Sequence, residues 1–506
     1  MLKIVKTENG MVRGLPGNNT RISVFKGIPF AAPPTGENRW RAPQPCQDWE
    51  GVKDAFSFAP ISIQDTPGLG DDIYSREFHV DSQLEMSEDC LYLNVWTSAK
   101  TNQDRLPVLV WFFGGGFQWG YPSEMEFNGE NTAKRGVVVV SVNYRLGALG
   151  FLAHEQLTKE APAANANFGN LDQLAGLQWV KRNIEAFGGN PDNITIAGQS
   201  AGGASVLSHL TSDLSIGLFQ KAIIYSGIIR NPYTVDEFIT PQPLKKGEAL
   251  GSEFLDYLGV TSISEARKLD AIFIRDKYSE FAASHPRFSP IIDGNFIKED
   301  PFRLFLAGKH ANVPLLAGNT YDEFISFIDV ASDETLGQKA QELFGDKADR
   351  FLSFQEAHHT AGDGNLYAPV RGIEQAVKCL FRFHDADCFY YSFEPDIPGE
   401  DHPGTFHSVD LWFFFETLAG SYRPFTGRHY DLSRQMCNYV TNFIRSGNPN
   451  GKDANGQEMP QWLPYTEENK NEMHFTSEGC IPKVQNSAFY DFLEEHIAEK
   501  NKTVKK

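Results

Sequence analysis

Cysteine is scarce and scattered: Cys46, Cys90, Cys379, Cys388, Cys437 and Cys480 are the six in 506 residues, with no close pair at metal-ligand spacing. That excludes a disulfide-stapled scaffold and a zinc module, and the six read as mostly buried thiols. Basic residues are outnumbered, 46 Lys and Arg against 65 Asp and Glu, for a net charge of −19 and a pI near 5.2. A phosphate-binding face should be basic, so no nucleic-acid partner is expected and the acidity reads as solubility. No apolar run reaches the roughly 20 residues of a membrane span. Met1 to Thr7 also lacks the apolar core of about 7–15 residues that a signal peptide needs. A cytoplasmic protein without membrane association is therefore expected, and the sequons at Asn18, Asn193 and Asn501 read as chance matches.

Pro/Ser-rich linkers and internal repeats are absent too. Length alone suggests about three domains, but apolar runs are spread along the whole chain. They fall at Leu91–Val95, Val108–Phe113, Val137–Val142, Ile194–Ala197, Ala222–Tyr225, Leu315–Ala317 and Phe389–Phe393. A single domain over residues 1–495 is expected, with 496–506 as a frayed basic tail. Leu174, Leu177, Val180 and Ile184, spaced by three and four, predict a helix over Asp172–Phe187, the packing layer that a buried parallel sheet needs. The fold class is α/β. Residues 232–287 and 329–371 read as helical insertions that wall a pocket, and the polar, glycine-containing stretch 62–86 as its cap.

The chemistry starts at Gly198-Gln199-Ser200-Ala201-Gly202-Gly203, directly behind the apolar run Ile194–Ala197. A serine between glycines at this spacing suits a sharp strand-to-helix turn that stands Oγ clear of the sheet, because no Cβ crowds either side of the bend. With 44 glycines in the chain, such a match arises by chance in roughly one chain in five. Context carries it: a buried-strand pattern precedes the motif and a small-residue helix start follows. Upstream, the run Leu106–Phe113 stops at Gly114-Gly115-Gly116-Phe117, where glycines free backbone N–H groups to point into a site. A serine nucleophile needs a base and an acid that orients it. Asp322 and Glu323 follow the apolar run 313–318, and His402 and His407 follow 388–393; spacing alone leaves both pairs open.

Taken together, the motifs resemble the type-B carboxylesterases, the large α/β-hydrolases that include para-nitrobenzyl-esterase-like enzymes, carboxylesterases and cholinesterases. The match runs nearly end to end: Phe25-Lys26-Gly27-Ile28-Pro29, Ser87-Glu88-Asp89-Cys90-Leu91, Asn143-Tyr144-Arg145, Phe187-Gly188-Gly189-Asn190-Pro191, the serine motif, Asp293-Gly294 and Gly447-Asn448-Pro449. The resemblance implies an α/β-hydrolase fold, a mostly parallel mixed sheet flanked by helices with helical insertions walling a gorge. It implies Ser200 as nucleophile, Glu323 as acid and His407 as base, with Gly115, Gly116 and Ala201 as the oxyanion hole. A small-molecule ester is the implied substrate, with no metal or cofactor.

Three positions depart from the family pattern. Gln199 stands where the family usually has Glu, which points to neutral rather than choline-like esters unless Asp410 holds a comparable place. Phe113 precedes the glycines where Tyr or His is common, and no cysteine lies roughly thirty residues before Cys90 to pair with it. Loop placement marks Phe117 and Phe324, along with Gln199, as pocket contacts. A lipase-like hydrolase and a catalytically inert binding module are the alternatives; the polar 62–86 stretch weighs against the first, and the filled Ser200, Glu323 and His407 positions against the second.

Overall fold

The computed structural model describes residues 1–230, 240–324, 327–330, 332–360, 366–369, 371–453 and 455–502. Its centre is a sheet of eleven strands. In chain order these are β1 (Leu15–Pro16), β2 (Ser23–Pro29), β3 (Tyr92–Thr97), β4 (Leu106–Phe112), β5 (Val138–Val142) and β6 (Gly189–Gln199). They continue as β7 (Lys221–Tyr225), β8 (Leu315–Thr320), β9 (Cys388–Phe393), β10 (Asn471–Thr476) and β11 (Gly479–Val484). The spatial order is β11-β10-β9-β8-β7-β6-β4-β5-β3-β2-β1. Strands β10 through β5 in that order run parallel, and the pairs at both ends are antiparallel.

The apolar runs are continuous because the parallel strands are covered on both faces. Successive residues of β4 go to opposite sides: Val108, Val110 and Phe112 join one core, Leu109, Trp111 and Phe113 the other. Each such side chain, fully withdrawn from water, contributes about 1.5–3 kcal/mol. From β4 the chain steps to β5 on one side and then crosses to β6 on the other. That reversal leaves a crevice beyond the carboxyl ends of β4 and β6, the place where an open α/β sheet binds ligands.

Three expectations change in detail. The helix read over Asp172–Phe187 runs over Phe168–Asn183, and a 3₁₀ turn at Ile184–Phe187 ends on Gly188 at φ 77°. Its first turns are buried but polar, so apolar spacing could not reveal them: Asp172 receives the Arg145 guanidinium at 2.7 Å, and Gln173 donates to Ser205. The insertion 329–371 is helical over Asp333–Phe344 and Ala348–Leu352, but it also carries a small antiparallel sheet of Phe327–Val330, Leu366–Pro369 and His359–Thr360. Finally, the helix Ala488–Lys502 runs through the first residues of the stretch expected to fray and buries His496 and Ile497. Residues 503–506 lie outside the described residues.

Candidate active site

Strands β4 and β6 lie side by side with Phe112 opposite Gly198, so the segments that follow them emerge together. Ser200 sits at the bend between β6 and the helix Ala201–Thr211 with φ 54° and ψ −123°. A side-chain-bearing residue held there stores on the order of 1–3 kcal/mol of backbone strain. The glycines around it are demanded by contact as well as by the turn. A Cβ on Gly202 would stand 2.0 Å from the Phe112 carbonyl oxygen, and one on Gly198 2.3 Å from that of Gly202. The bend is also tied to the neighbouring strand, since Ser200 N–H donates to the Tyr225 carbonyl at 3.0 Å.

Beside it, Gly115 and Gly116 adopt φ of 110° and 61°. Among the described residues their N–H groups find no protein acceptor. Ala201 begins the helix after the bend, so its N–H is one of the amides that a helix start leaves unpaired.

His407 and Glu323 arrive from the loops after β9 and β8. His407 Nδ1 lies 2.6 Å from Glu323 Oε2, and Glu323 Oε1 accepts from the Thr320 hydroxyl at 2.9 Å. Both residues are buried. The rivals that spacing left open go elsewhere. Asp322 Oδ2 accepts from the backbone N–H and hydroxyl of Thr405 at 2.8 and 2.9 Å, pinning the loop that carries His407, and His402 is exposed. The far imidazole nitrogen, Nε2, lies 3.1 Å from Gln199 Nε2, and that same amide donates to Ser408 Oγ at 2.7 Å. With the Nδ1 proton directed at Glu323, His407 Nε2 accepts from Gln199, so this amide occupies the lone pair that a nearby hydroxyl would use.

A cavity of about 650 Å³ opens over Ser200, His407 and the three glycines. Gln199 and Phe324 line it; Phe324 is 54% exposed and meets the His407 ring edge-on at 4.9 Å. Phe117 does not: it turns away and packs edge-on against Phe151 at 5.1 Å in a separate apolar cluster. Its φ of 62° makes the reason plain, because the tight glycine turn redirects the side chain behind the loop. Trp412, Phe413, Phe414 and Phe415 are likewise core. The 62–86 stretch does form a wall, through Asp65, Asp72, Tyr74, Phe78 and His79 among others. The insertions expected to wall the cavity contribute no described lining residue. The first backs the wall instead, with Ser279 donating to Asp65 at 2.6 Å and Arg275 to the Gln64 carbonyl at 2.8 Å.

Sequence reasoning missed Glu124 and Glu126, which line the cavity from the segment after the glycine loop. Burial and the charge of Glu124 raise Glu126 well above the usual carboxylate range. Their alternation with Met125 was a visible signal, but nothing tied it to the serine.

Asp410 does not take the place of a carboxylate beside the nucleophile, because it is fully buried outside the cavity lining. Tyr391 donates to its Oδ2 at 2.7 Å while Oδ1 has no partner. Burial pushes its carboxyl up to about 7, with Glu323 adding to the shift and the Tyr391 bond opposing it. In the unfolded chain an aspartate gives up its proton near pH 4. Between about pH 4 and 7 the folded state therefore holds the extra proton, and stability falls as pH rises through that window. Melting curves at pH 5 and 8 should show wild type losing more Tm than Asp410→Asn over the interval, by roughly a few degrees. Equal losses would show that Asp410 does not titrate in this range.

A doubly covered parallel sheet, a strained serine bend after β6 and an acid–histidine pair from the loops after β8 and β9 define an α/β-hydrolase. The sequence places it further: the profile of the Carboxylesterase family matches residues 2–378 and 346–493, and the chain belongs to that family. It is 34% identical over 496 residues to the para-nitrobenzyl esterase of Bacillus subtilis, covering 95% of this chain and 96% of that one. It is also 34% identical over 435 residues to the fumonisin B1 esterase of Sphingopyxis macrogoltabida, covering 83% and 76% of the two chains. Among solved structures, a Geobacillus stearothermophilus carboxylesterase superimposes with a TM-score of 0.78 at 28% identity, over 98% of this chain and all of the other. The protein is thus a carboxylic ester hydrolase. Among the described residues no helix is long and apolar enough to cross a membrane.

Proposed function

We propose that Ser200 carries the ester cleavage through an acyl-enzyme, with His407 as general base and Glu323 holding the imidazole. The observation that carries this reading is the 2.6 Å His407–Glu323 contact beside a strained serine on the floor of the cavity. Oγ attacks the ester carbonyl as His407 Nε2 takes its proton, which requires Gln199 to yield that nitrogen; such bonds commonly tighten only once substrate is bound. The tetrahedral oxyanion rests on the N–H groups of Gly115, Gly116 and Ala201, each worth about 3–4 kcal/mol in comparable sites. His407 then protonates the leaving alcohol, and water repeats the cycle on the acyl group. Gln199 places an amide where a carboxylate would attract a quaternary ammonium, so an uncharged ester should match or exceed its choline counterpart. A reducing, cytoplasmic setting suits the six free cysteines.

A p-nitrophenyl alkylphosphonate tests the reading. It should release one p-nitrophenolate per chain, abolish hydrolysis of p-nitrophenyl esters and leave its phosphonyl group on the peptide containing Ser200. Labelling at another residue, or activity that survives full labelling, overturns the assignment.

A further inference from the structure

The loop that presents Gly115 and Gly116 beside Ser200 is clamped from behind. The Gly115 carbonyl accepts from the N–H groups of Gln118 and Trp119, both at 2.9 Å, and the Phe117 carbonyl accepts from Gly147 N–H at 2.8 Å. In a trans peptide the next N–H points opposite to the carbonyl, so the first two bonds turn the Gly116 N–H out of the turn. The Gly116 carbonyl, between these two anchored peptides, is held by a side chain: Gln118 Nε2 donates to it at 3.2 Å and to the Phe288 carbonyl at 2.7 Å. Among the described residues no other donor reaches the Gly116 oxygen. Gly116, at φ 61°, has no side chain of its own to fix it, so the peptide after it turns easily unless something outside the loop holds it.

That outside hold has its own support. The Tyr278 hydroxyl donates to Gln118 Oε1 at 2.8 Å while accepting from Phe288 N–H at 2.8 Å. This arrangement admits one orientation of the amide, with two carbonyls meeting its two N–H donors and the hydroxyl proton meeting its oxygen. Tyr278 belongs to the helix Ala271–Ala282 of the first insertion, which lines none of the cavity. We infer that Gln118 is a positioning residue for the oxyanion site and that Tyr278 fixes its amide, so that the insertion acts on the chemical step without touching the substrate. Gln118 is 7% exposed and outside the cavity lining, so it has no direct part in holding the ester. The oxyanion develops only as Oγ adds to the carbonyl, so a loop that wanders should lower kcat and spare KM. This rests on the reading of Gly115 and Gly116 as donors to the Ser200 adduct and deepens it.

The test uses the full-length enzyme as wild type, Gln118→Met, Tyr278→Phe and the double variant, with rates on p-nitrophenyl acetate taken per phosphonate-titrated site. Gln118→Met should lower kcat about 10–100-fold with KM changed by less than about three-fold. Two competitive inhibitors separate positioning from general damage. A trifluoromethyl ketone accepts Oγ at its carbonyl carbon, the Oγ proton passing to His407 and the carbonyl electron pair becoming the oxyanion; the matched methyl ketone binds without adding. The first should weaken by the factor lost in kcat/KM and the second should not change. Tyr278→Phe keeps the ring stacked on Phe288 at 5.3 Å and should show the same pattern at about three- to ten-fold, with the double variant no worse than Gln118→Met. If Gln118→Met fails to fold, Tyr278→Phe decides. A kcat unchanged in Tyr278→Phe, a loss carried by KM, or equal weakening of the two ketones overturns the inference. Those results leave the Ser200 reading intact, whereas phosphonate labelling away from Ser200 overturns that reading whatever the variants do.

Discussion

Ser200→Ala should hydrolyse p-nitrophenyl acetate about 10⁴–10⁶-fold more slowly than wild type, in kcat, while melting at the same temperature or higher. The size of the loss follows from what the hydroxyl does and the retained fold from what the backbone does. On the proposed mechanism, removing Oγ removes the acyl-enzyme and leaves the N–H groups of Gly115, Gly116 and Ala201 only direct attack by water to assist. The contacts that shape the bend are main-chain ones: the Ser200 N–H to Tyr225, and the approach of Gly198, Gly202 and Phe112, none of which uses the hydroxyl. Removing a polar group from a strained position commonly leaves stability unchanged or improved. Steady-state rates and thermal melts on the same preparation check both halves. Activity within ten-fold of wild type would move the nucleophile elsewhere, and a collapsed melt would make the hydroxyl structural.

Much of this arrangement could be read before the fold was seen, for identifiable reasons. The central strands are buried on both faces, so they appear as unbroken apolar runs, and glycines 114–116, 198 and 202 mark places where backbone must approach backbone. What stayed hidden was set by long-range contact. The helix at Phe168 begins with polar residues whose partners, Arg145 and Ser205, lie outside it. Phe117 and Phe324 looked equivalent as aromatic residues on loops beside the site. Only the turn geometry sends the first away from the cavity, partly buried against an apolar cluster, and leaves the second on His407. The choice between Asp322 and Glu323 was beyond spacing for the same reason, since adjacent residues point in opposite directions.

That choice yields the sharpest paired result. Glu323→Gln should lower kcat about 10²–10⁴-fold, because an amide opposite Nδ1 permits the wrong imidazole tautomer and no longer stabilises the imidazolium. Asp322→Asn should cost less than about ten-fold: its carboxylate bonds Thr405 and steadies the His407 loop from outside the reacting groups, so its loss blurs geometry without removing a participant. The same contrast should hold for the histidines, with His407→Ala nearly inactive and the exposed His402→Ala close to wild type. The thermal melts should separate the two carboxylates in the other direction, since Asp322→Asn weakens a tie between two loops whereas Glu323→Gln keeps an acceptor for Thr320. If Asp322→Asn proves the more damaging to kcat, the acid has been assigned to the wrong residue, and the 2.6 Å contact between His407 and Glu323 is not the one that orients the base.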